Sequence, residues 1–225
     1  MKRIGMLVAV EMGAVLSRYG SAASAEERHG FQVYLYDMQG YRLYVIKSGA
    51  GEIAAAAAAQ LLIDRYEVEM IVNFGVVGGL TEEMAQTETC VVERVVHYDF
   101  DTSAYDNTRP GQYAEYPDEY LYPTPELVER AVAIAPELRR VTCASGDKFV
   151  DGQQAKAALH ERWGAHICEM EAAAVVLTCG RAKLPCLLIK TVSDGLLEGA
   201  EAFGDALQRT SEQCLAVADR IIREL

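Results

Sequence analysis

The sequence predicts an α/β domain in which a largely buried, mixed β-sheet carries helices on both faces. Apolar stretches of strand length recur along the chain, and helical stretches lie between several of them. Many of these strands are apolar almost throughout, which is typical of strands covered on both faces. The chain has 225 residues and no repeat, linker or low-complexity segment, so we predict a single domain over residues 1–225.

The predicted strands follow from apolar runs bounded by Gly, Asp or Ser, a pattern that indicates buried strands. FQVYLYDMQGYRLYVIKSG predicts a hairpin whose two strands turn near Gly40. In chain order, the other predicted strands are RIGMLVAV, VEMIVNFGVVGGL, TETCVVERVVHYDFD, RRVTCASG, the short AHICEM and PCLLIKTVSDG.

Predicted helices lie between these strands. The first, MGAVLSRYG, ends at Gly20, and the second, EIAAAAAAQLLIDRY, has high helix propensity throughout. TPELVERAVAIA begins with Thr124 as N-cap and Pro125 at the first helical position. GQQAKAALHERW, EAAAVVLTCGRAK and an amphipathic terminal helix from about Glu201 follow. The segment 102–122 is rich in Tyr, Asp and Pro without periodicity, so it predicts an ordered loop.

The chain is acidic, with 21 Lys and Arg against 33 Asp and Glu and a formal net charge of -12. It has no basic cluster, so neither a nucleic-acid backbone nor an anionic membrane surface is an expected partner. A small, weakly charged molecule fits this composition better.

The cysteines and histidines predict no disulfide and no metal site. The six cysteines form no CxxC pair and stand mostly in apolar context, which is typical of free, buried thiols in a reducing compartment. The four histidines are scattered, with no HExxH motif and no Cys/His cluster. We therefore expect neither a metal nor a cofactor.

The N-terminus imitates a secretory signal, because Lys2 and Arg3 precede an apolar stretch and SAASA (21–25) looks like a cleavage site. Glu11 interrupts the apolar stretch early, however, and Arg18 separates it from SAASA. A buried first strand followed by a helix is the better interpretation. No apolar run approaches the roughly 20 residues that span a bilayer, so we expect a cytoplasmic protein.

Glycine-rich turns follow two of the predicted strands. SGAGEIA (48–54) matches the GxGxxA pattern of a dinucleotide-binding turn. The next strand, however, ends in Asn73 and Phe74 instead of the acidic residue that binds a ribose in that fold. NFGVVGGL (73–80) also ends a strand in glycines, at an edge where the ligands of open α/β sheets gather. A small ligand near these turns is a better interpretation than a dinucleotide, although a plain turn also explains each motif.

Other strand ends carry residues with two interpretations each. Asp194 ends the strand of PCLLIKTVSDG, where it either caps the next helix or delivers a proton in a desolvated pocket. Phe149 in SGDKFVDG is either a stacking surface for a flat ring or a core residue. Glu169 and Glu171 flank Met170 in ICEMEAAAVV, where the helix macrodipole alone favours acids in a first turn. Their joint placement at strand ends favours a ligand site.

Taken in order, KSGAGEIAAA, NFGVVGGL, SGDKFVDG, CEMEAAAV and TVSDG resemble the motifs of the nucleoside phosphorylase/nucleosidase superfamily, in particular those of bacterial 5'-methylthioadenosine/S-adenosylhomocysteine nucleosidases. The resemblance extends from the strand at Ile4 to the terminal helix. It implies a three-layer αβα sandwich with a mixed central sheet, in most cases a homodimer. It also implies hydrolysis of the N-glycosidic bond between adenine and a 5'-thio-substituted ribose, with a purine nucleoside as the small-molecule partner.

On the base side, the resemblance implies that Asp194 contacts adenine N7 and protonates the leaving base, and that Ser193 helps to hold this aspartate. It also implies that Phe149 stacks on the base and that the main chain of Val150 pairs with the adenine edge. These roles agree with the chemistry, because adenine leaves poorly as an anion and a carboxylic acid of raised pKa can supply the proton.

On the sugar side, the resemblance implies that Glu171 binds the ribose hydroxyls, that Met170 lies under the sugar and that Glu169 is the first acid of the motif. Phe203 roughly matches a residue that closes over the 5' substituent. A carboxylate at the ribose hydroxyls orients the sugar and stabilises the positive charge that develops on it during cleavage.

Three positions depart from the family pattern, two of them on the side of the attacking water. The nucleosidases carry a glutamate shortly after the first strand that activates this water. An ungapped alignment places Gly13 there, with Glu11 two residues earlier. Val76 replaces the serine of the family's glycine turn, and Lys190 replaces a common arginine, although Lys and Arg are not interchangeable.

These departures leave three functions, in order of preference. The first is an adenosine-type nucleosidase whose water is activated by Glu11 after a small register shift. The second is a purine nucleoside phosphorylase with Arg18 and Arg42 as candidate phosphate ligands, although Asn73 stands where phosphorylases place an arginine. The third is a non-catalytic nucleoside-binding protein, or an enzyme that acts on a related nucleoside.

Overall fold

A computed structural model describes residues 1–225, which form ten strands and seven helices. The strands are β1 (Lys2–Val8), β2 (Ser24–Arg28), β3 (Phe31–Asp37), β4 (Tyr41–Lys47), β5 (Met70–Gly79), β6 (Thr89–His97), β7 (Tyr120–Leu121), β8 (Arg139–Ser145), β9 (Ile167–Glu169) and β10 (Cys186–Asp194). The helices are α1 (Met12–Tyr19), α2 (Glu52–Tyr66), α3 (Ser103–Asp106), α4 (Pro125–Ile134), α5 (Gln153–Trp163), α6 (Ala172–Ala182) and α7 (Ala200–Glu224). No helix combines the length and the apolar composition needed to cross a membrane.

All ten strands belong to one mixed sheet. One arm runs from β5 through β1, β4 and β3 to β2, where β1 is parallel to both β5 and β4, and the last two strands are antiparallel to their neighbours. At the other end, β5, β10, β6, β8 and β9 pair in that order, and β9 pairs back with β5. These five strands therefore close into a small barrel, and β7 adds to β6.

Helices cover both faces of the sheet and bury two apolar cores. On one face, α2 and α6 pack through small side chains such as Ala55, Ala59 and Ala173, which allow helices to approach a sheet and each other closely. On the other face, α1, α4 and α7 bury apolar residues that include Leu215 and Ile222 of the amphipathic α7. This three-layer αβα arrangement around a mixed sheet confirms the predicted fold class.

The predicted strands and helices are all present, and the structure adds three short elements. β2 pairs with β3, but its side chains are mostly exposed and its sequence SAEER has no apolar alternation, so main-chain pairing alone defines it. The segment 102–122, for which the sequence predicts a loop, contains the one-turn helix α3 and the two-residue strand β7. Thr124 precedes α4 as predicted, but its hydroxyl accepts the N–H of Cys186 instead of capping the helix.

The barrel brings several strand ends to one place. Asp194 of β10 and Cys168 of β9 both lie opposite Gly78 of β5. A Cβ on Gly78 would lie 3.0 Å from the Cys168 Sγ and 3.4 Å from the Asp194 Oδ2, so a larger residue would push these side chains away. Because β1 runs parallel to β5, Glu11 just after β1 emerges at the same edge, where ligands of α/β sheets bind.

Candidate functional site

A cavity of about 270 Å³ lies where these strands end. Its wall comes from the ends of β1, β5, β9 and β10, from the loops after β4 and β8, and from the first turn of α7. Eight of the nine predicted site residues line it, namely Glu11, Phe149, Val150, Glu169, Met170, Glu171, Asp194 and Phe203. The ninth, Ser193, is fully buried behind Asp194. The residues predicted for the base, the sugar and the water therefore share one cavity.

Asp194 is a buried carboxyl group with two protein donors. Its Oδ1 accepts a hydrogen bond from the Ser193 hydroxyl at 2.8 Å, and its Oδ2 accepts one from the Lys156 ammonium at 2.6 Å. Burial raises the pKa of Asp194, against the lowering effect of these two donors. The alternative that Asp194 caps the next helix is wrong, because α7 begins only at Ala200 with Gly199 as its N-cap residue.

Phe149 and Val150 present an aromatic face and a polar edge to the cavity. The Phe149 side chain is 41% exposed and meets the edge of Phe203, with ring centroids 5.4 Å apart, so it is not a core residue. The main-chain N–H and carbonyl of Val150 make no hydrogen bond within the protein. Because main-chain polar groups near the interior are nearly always paired, this edge suits a ligand that both donates and accepts.

Glu171 is a buried acid on the cavity wall. Its Oε1 accepts the N–H of Gly51 at 2.8 Å, in the glycine turn after β4. Burial and the neighbouring charge of Glu169 raise the pKa of Glu171 to about 7. A small change in its surroundings therefore decides whether this group is ionised at neutral pH.

Glu169 also reaches the cavity wall, but its carboxylate is occupied by protein donors. It accepts hydrogen bonds from the Ser145 hydroxyl at 2.6 Å, from the Lys190 ammonium at 3.1 Å, and from the N–H groups of Glu171 and Ala172. Burial alone would raise the pKa of Glu169, but Lys190 and these hydrogen bonds lower it. Glu169 is thus the ionised acid at the start of α6, where the helix macrodipole favours it.

Glu11 is held at the cavity by three main-chain donors. Its Oε2 accepts the N–H groups of Ala9 and Val10 at 3.0 and 2.9 Å, and its Oε1 accepts the N–H of Val76 at 3.0 Å. Gly13 does not line the cavity. Of these two positions, only Glu11 presents an acid to the cavity, although an ungapped alignment with the family points to Gly13.

The sequence analysis does not identify Glu52 and Ser145, which form a buried network with Glu169. The Ser145 hydroxyl lies 2.5 Å from the Glu52 Oε1 and 2.6 Å from the Glu169 Oε1. A hydroxyl has one proton, so one of these contacts requires a protonated carboxyl. Because Lys190 pairs with Glu169, the proton belongs on Glu52, whose pKa is raised to about 8 by burial and by the Glu169 charge. The only sequence signal for Glu52 is an acid in a first helical turn.

Few cations reach the cavity. Lys148 is the only basic residue that lines it. Arg18 pairs instead with Asp219 and Arg42 with Asp37, both away from the cavity. No group of three or more His, Cys, Asp or Glu side chains is arranged to hold a metal ion.

The Glu52→Gln variant should remove a pH dependence of stability. The amide mimics a protonated carboxyl, since it can donate to the Ser145 hydroxyl and accept the N–H of Ala174, as Glu52 does. In the wild type, the folded state holds a proton up to pH about 8 that the unfolded chain releases near pH ~4.3. Stability therefore falls as pH rises through this range. We expect the free energy of unfolding of Glu52→Gln, relative to wild type, to rise across it by up to about 1.4 kcal/mol per pH unit.

Urea unfolding at several pH values, from roughly 5 to roughly 9, measures this difference. This range covers most of the interval between the unfolded-state and folded-state pKa values of Glu52. The exposed Glu82→Gln is the matched control, and its curve should run parallel to that of the wild type. An equal loss of stability at every pH in Glu52→Gln would instead mean that Glu52 is ionised in the native state.

Known proteins resemble this chain in both sequence and structure. The sequence profile of the phosphorylase superfamily matches residues 4–223. A 5'-methylthioadenosine/S-adenosylhomocysteine nucleosidase of Hydrogenovibrio crunogenus is 30% identical over 199 residues, which are 85% of each chain. The crystal structure of the Helicobacter pylori nucleosidase of the same name has a TM-score of 0.93 and 24% identity, covering 100% of this chain and 99% of that one. A Helicobacter pylori futalosine hydrolase also reaches a TM-score of 0.93, with 24% identity and coverage of 100% and 98%. As its motifs predict, the chain belongs to the phosphorylase superfamily.

Proposed function

We propose that this protein is a nucleosidase that hydrolyses the N-glycosidic bond of 5'-methylthioadenosine- and S-adenosylhomocysteine-type nucleosides and releases adenine. The observation that carries the proposal is the meeting of an aromatic face, a buried acid and a buried carboxylate on one cavity, supplied by Phe149, Asp194 and Glu171. The sequence relatives that support it are nucleosidases by name.

On the base side, the purine stacks on Phe149 and its edge pairs with the main chain of Val150. Adenine offers a ring-nitrogen acceptor and an amino donor on one edge, which matches the free N–H and carbonyl of Val150. Asp194 then faces N7 as the acid. Its raised pKa supports this role, because the group must hold a proton before it can give one away.

On the sugar side, Glu171 binds the ribose hydroxyls and Met170 lies beneath the ring. Glu169 touches the cavity wall but acts by positioning Glu171, because its own oxygens accept the Glu171 N–H and other protein donors. The ionised Glu171 stabilises the positive charge that develops on the sugar. The Gly51 N–H already holds the Glu171 Oε1 in place, so the side chain need not move during the reaction.

The proton and electron balance of the reaction closes within these groups. As the C1'–N9 bond breaks, its electron pair moves into the purine, and Asp194 gives its proton to N7. A water then bonds to C1' and loses its proton to Glu11. The products are neutral adenine and a 5-thio-substituted ribose, and the proton held by Glu11 returns to Asp194 through solvent.

The charges around the cavity favour water over phosphate as the nucleophile. Four acids line the cavity against one lysine, Lys148. The two arginines considered as phosphate ligands, Arg18 and Arg42, are paired elsewhere. A phosphate dianion would meet carboxylates without a guanidinium to balance its charge.

The finer parts of the proposal rest on the family and on composition. Phe203, which packs at a steep angle to Phe149, supports an apolar thioether at the 5' position. The fold alone does not determine the substrate, since a nucleosidase and a futalosine hydrolase share it. We also propose a single domain over residues 1–225, which the family match over 4–223 supports. The resemblance and the composition are the grounds for proposing a cytoplasmic homodimer. Its acidic surface supports a small-molecule partner and no nucleic-acid or membrane partner, and the reaction needs no cofactor.

We expect methylthioadenosine or adenosylhomocysteine to yield adenine and a free thio-substituted ribose, with the same yield whether phosphate is present or absent. Separation of the products by chromatography with mass detection measures this, with adenosine and inosine as comparison substrates. A sugar 1-phosphate formed only with phosphate would establish a phosphorylase. If none of the four nucleosides gives a product, the remaining interpretation is a non-catalytic nucleoside-binding protein.

The Asp194→Asn variant should bind nucleoside but release adenine about 10²–10⁴-fold more slowly, because general-acid catalysis contributes a factor of this size. Calorimetric binding and adenine release measure the two effects separately. The control is Asp205→Asn, an exposed position on α7 where both values should stay at wild-type level. Full activity of Asp194→Asn would remove Asp194 from the role of acid.

The Glu11→Gln variant should lose hydrolysis by about 100-fold or more, because the amide cannot accept the proton of water. Binding of methylthioadenosine should change little, since Glu11 faces the water side of the sugar. Turnover and binding affinity measured together separate loss of the base from damage to the cavity. Unchanged turnover would show that a residue other than Glu11 accepts the proton of the attacking water.

A further inference from the structure

A fully buried lysine lies directly behind the proposed acid. Lys156 belongs to α5, and its side chain is 0% exposed. Its Nζ lies 2.6 Å from the Asp194 Oδ2, 2.7 Å from the Gly195 carbonyl oxygen and 2.8 Å from the Glu198 carbonyl oxygen. Lys156 lies outside every motif quoted above, between SGDKFVDG and CEMEAAAV, and the mechanism described above does not use it.

The partners of Lys156 identify its charge state. An ammonium group has three N–H bonds and no acceptor site. Three oxygen acceptors lie at 2.6–2.8 Å from the Nζ, and the Asp194 main-chain carbonyl oxygen lies at 3.4 Å. A neutral amine would turn a lone pair towards one of these oxygens. Lys156 is therefore an ammonium ion, and the only carboxylate it contacts is that of Asp194.

We propose that Lys156 is a positioning residue for Asp194, fixing the Oδ2 of the acid and stabilising the carboxylate that remains when the proton passes to the purine N7. The inference rests on the proposed function, because it assigns the partner of that acid. The bond that forms is N7–H, the bond that breaks is O–H of Asp194, and the negative charge left behind lies 2.6 Å from the ammonium.

The surroundings of Asp194 accommodate both of its protonation states. The Ser193 hydroxyl lies 2.8 Å from the Asp194 Oδ1 and 3.1 Å from the Val77 carbonyl oxygen. It can donate to Oδ1 when Asp194 is ionised and to Val77 when Asp194 is neutral, without movement of heavy atoms. Such preorganised donors are the main source of electrostatic stabilisation in enzymes.

The other titratable groups near Asp194 are few. From the loop after β10, the Glu198 carboxylate accepts the N–H of Gly195 at 2.7 Å, and its charge raises the pKa of Asp194. From β9, burial raises the pKa of the Cys168 thiol to about 12, so it stays neutral. The stretch of β5 from Val76 to Gly78 carries no titratable side chain. Lys156 is thus the only basic residue that forms an ion pair with this acid.

A purely structural role would predict a different outcome on substitution. Replacing Lys156 alone leaves the buried Asp194 without its cation, so a structural role predicts a loss of stability. Methionine is unbranched and one heavy atom shorter than lysine, so it would fill most of the space between α5 and β10 without the charge. A structural role would leave the pH dependence of catalysis in Lys156→Met unchanged.

The test compares Lys156→Met and Lys156→Gln with wild type, and uses Gln154→Met, exposed on the same helix, as the matched control. Without the ammonium, Asp194 keeps its proton to higher pH, so the alkaline limb of kcat/KM should move up by about one pH unit or more. At the plateau, kcat should fall about tenfold or more in Lys156→Met, because the acid is weaker and less well oriented. Lys156→Gln keeps a hydrogen-bond donor, so it should show the same shift of the limb with a smaller loss of kcat.

A double-mutant cycle separates action through Asp194 from a general effect on the cavity. In the Asp194→Asn background, Lys156→Met should change kcat by less than about threefold, because the charge it stabilises no longer forms. If the wild type is active, but Lys156→Met shows the wild-type kcat and an unshifted alkaline limb of kcat/KM, the inference about Lys156 is wrong and the proposed function still stands. Failure of both position-156 variants to fold would assign the ion pair to folding and would also overturn this inference. An inactive wild type would instead refute the proposed function.

Discussion

The part of the cavity that carries Glu171, where the sugar is proposed to bind, depends on one buried ion pair, between Glu169 and Lys190. The two side chains are 3% and 2% exposed, and the Nζ–Oε2 distance is 3.1 Å. The same carboxylate accepts the Ser145 hydroxyl and two N–H groups at the start of α6, so β8, β9, β10 and α6 meet at a single acid. Removing one member of such a pair leaves an uncompensated buried charge and destabilises a protein by about 3–5 kcal/mol. Without the pair, the first turn of α6 would lose its anchor, and Glu171 would lose its fixed direction towards the cavity.

This ion pair also determines the protonation of its neighbours. Lys190 is the cation among three buried acids, and burial alone would lower its pKa, but the charges of Glu169 and Glu171 raise it. Burial, together with the charge of Glu169, in turn holds a proton on Glu52 and brings the pKa of Glu171 to about 7. Glu171 is therefore the acid whose charge a ligand decides. In the proposed reaction, a sugar that gains positive charge favours the ionised form, so the stabilisation grows as the bond to the base breaks, as differential binding of a transition state requires.

Which residues meet at the cavity could be predicted from the sequence, but not their partners. Asp194, Phe149 and Glu171 stand in motifs at the ends of apolar strands, and the edge of a sheet is where such side chains converge. Lys156 lies 38 positions before Asp194, inside a helix whose pattern of apolar residues shows only which face is buried. Helical periodicity identifies a buried face, but it does not identify the atom on the other side of it. The closure of β5, β10, β6, β8 and β9 into a barrel brings these distant positions together, and no local pattern encodes that closure.

Around Glu11, the sequence departs from the family pattern, but a carboxylate still faces the cavity. The Glu11 Oε1 is held by the main-chain N–H of Val76, a donor that is independent of the side chain at that position. Exchange of the family's serine for valine therefore keeps the carboxylate anchored while making the wall beside it apolar. At Gly13, a Cβ would lie 2.6 Å from the Oε1 at the end of the exposed Gln208 side chain on α7, so only that side chain would have to shift. Position 11 thus presents a carboxylate to the cavity, whereas position 13, beside α7, does not line it.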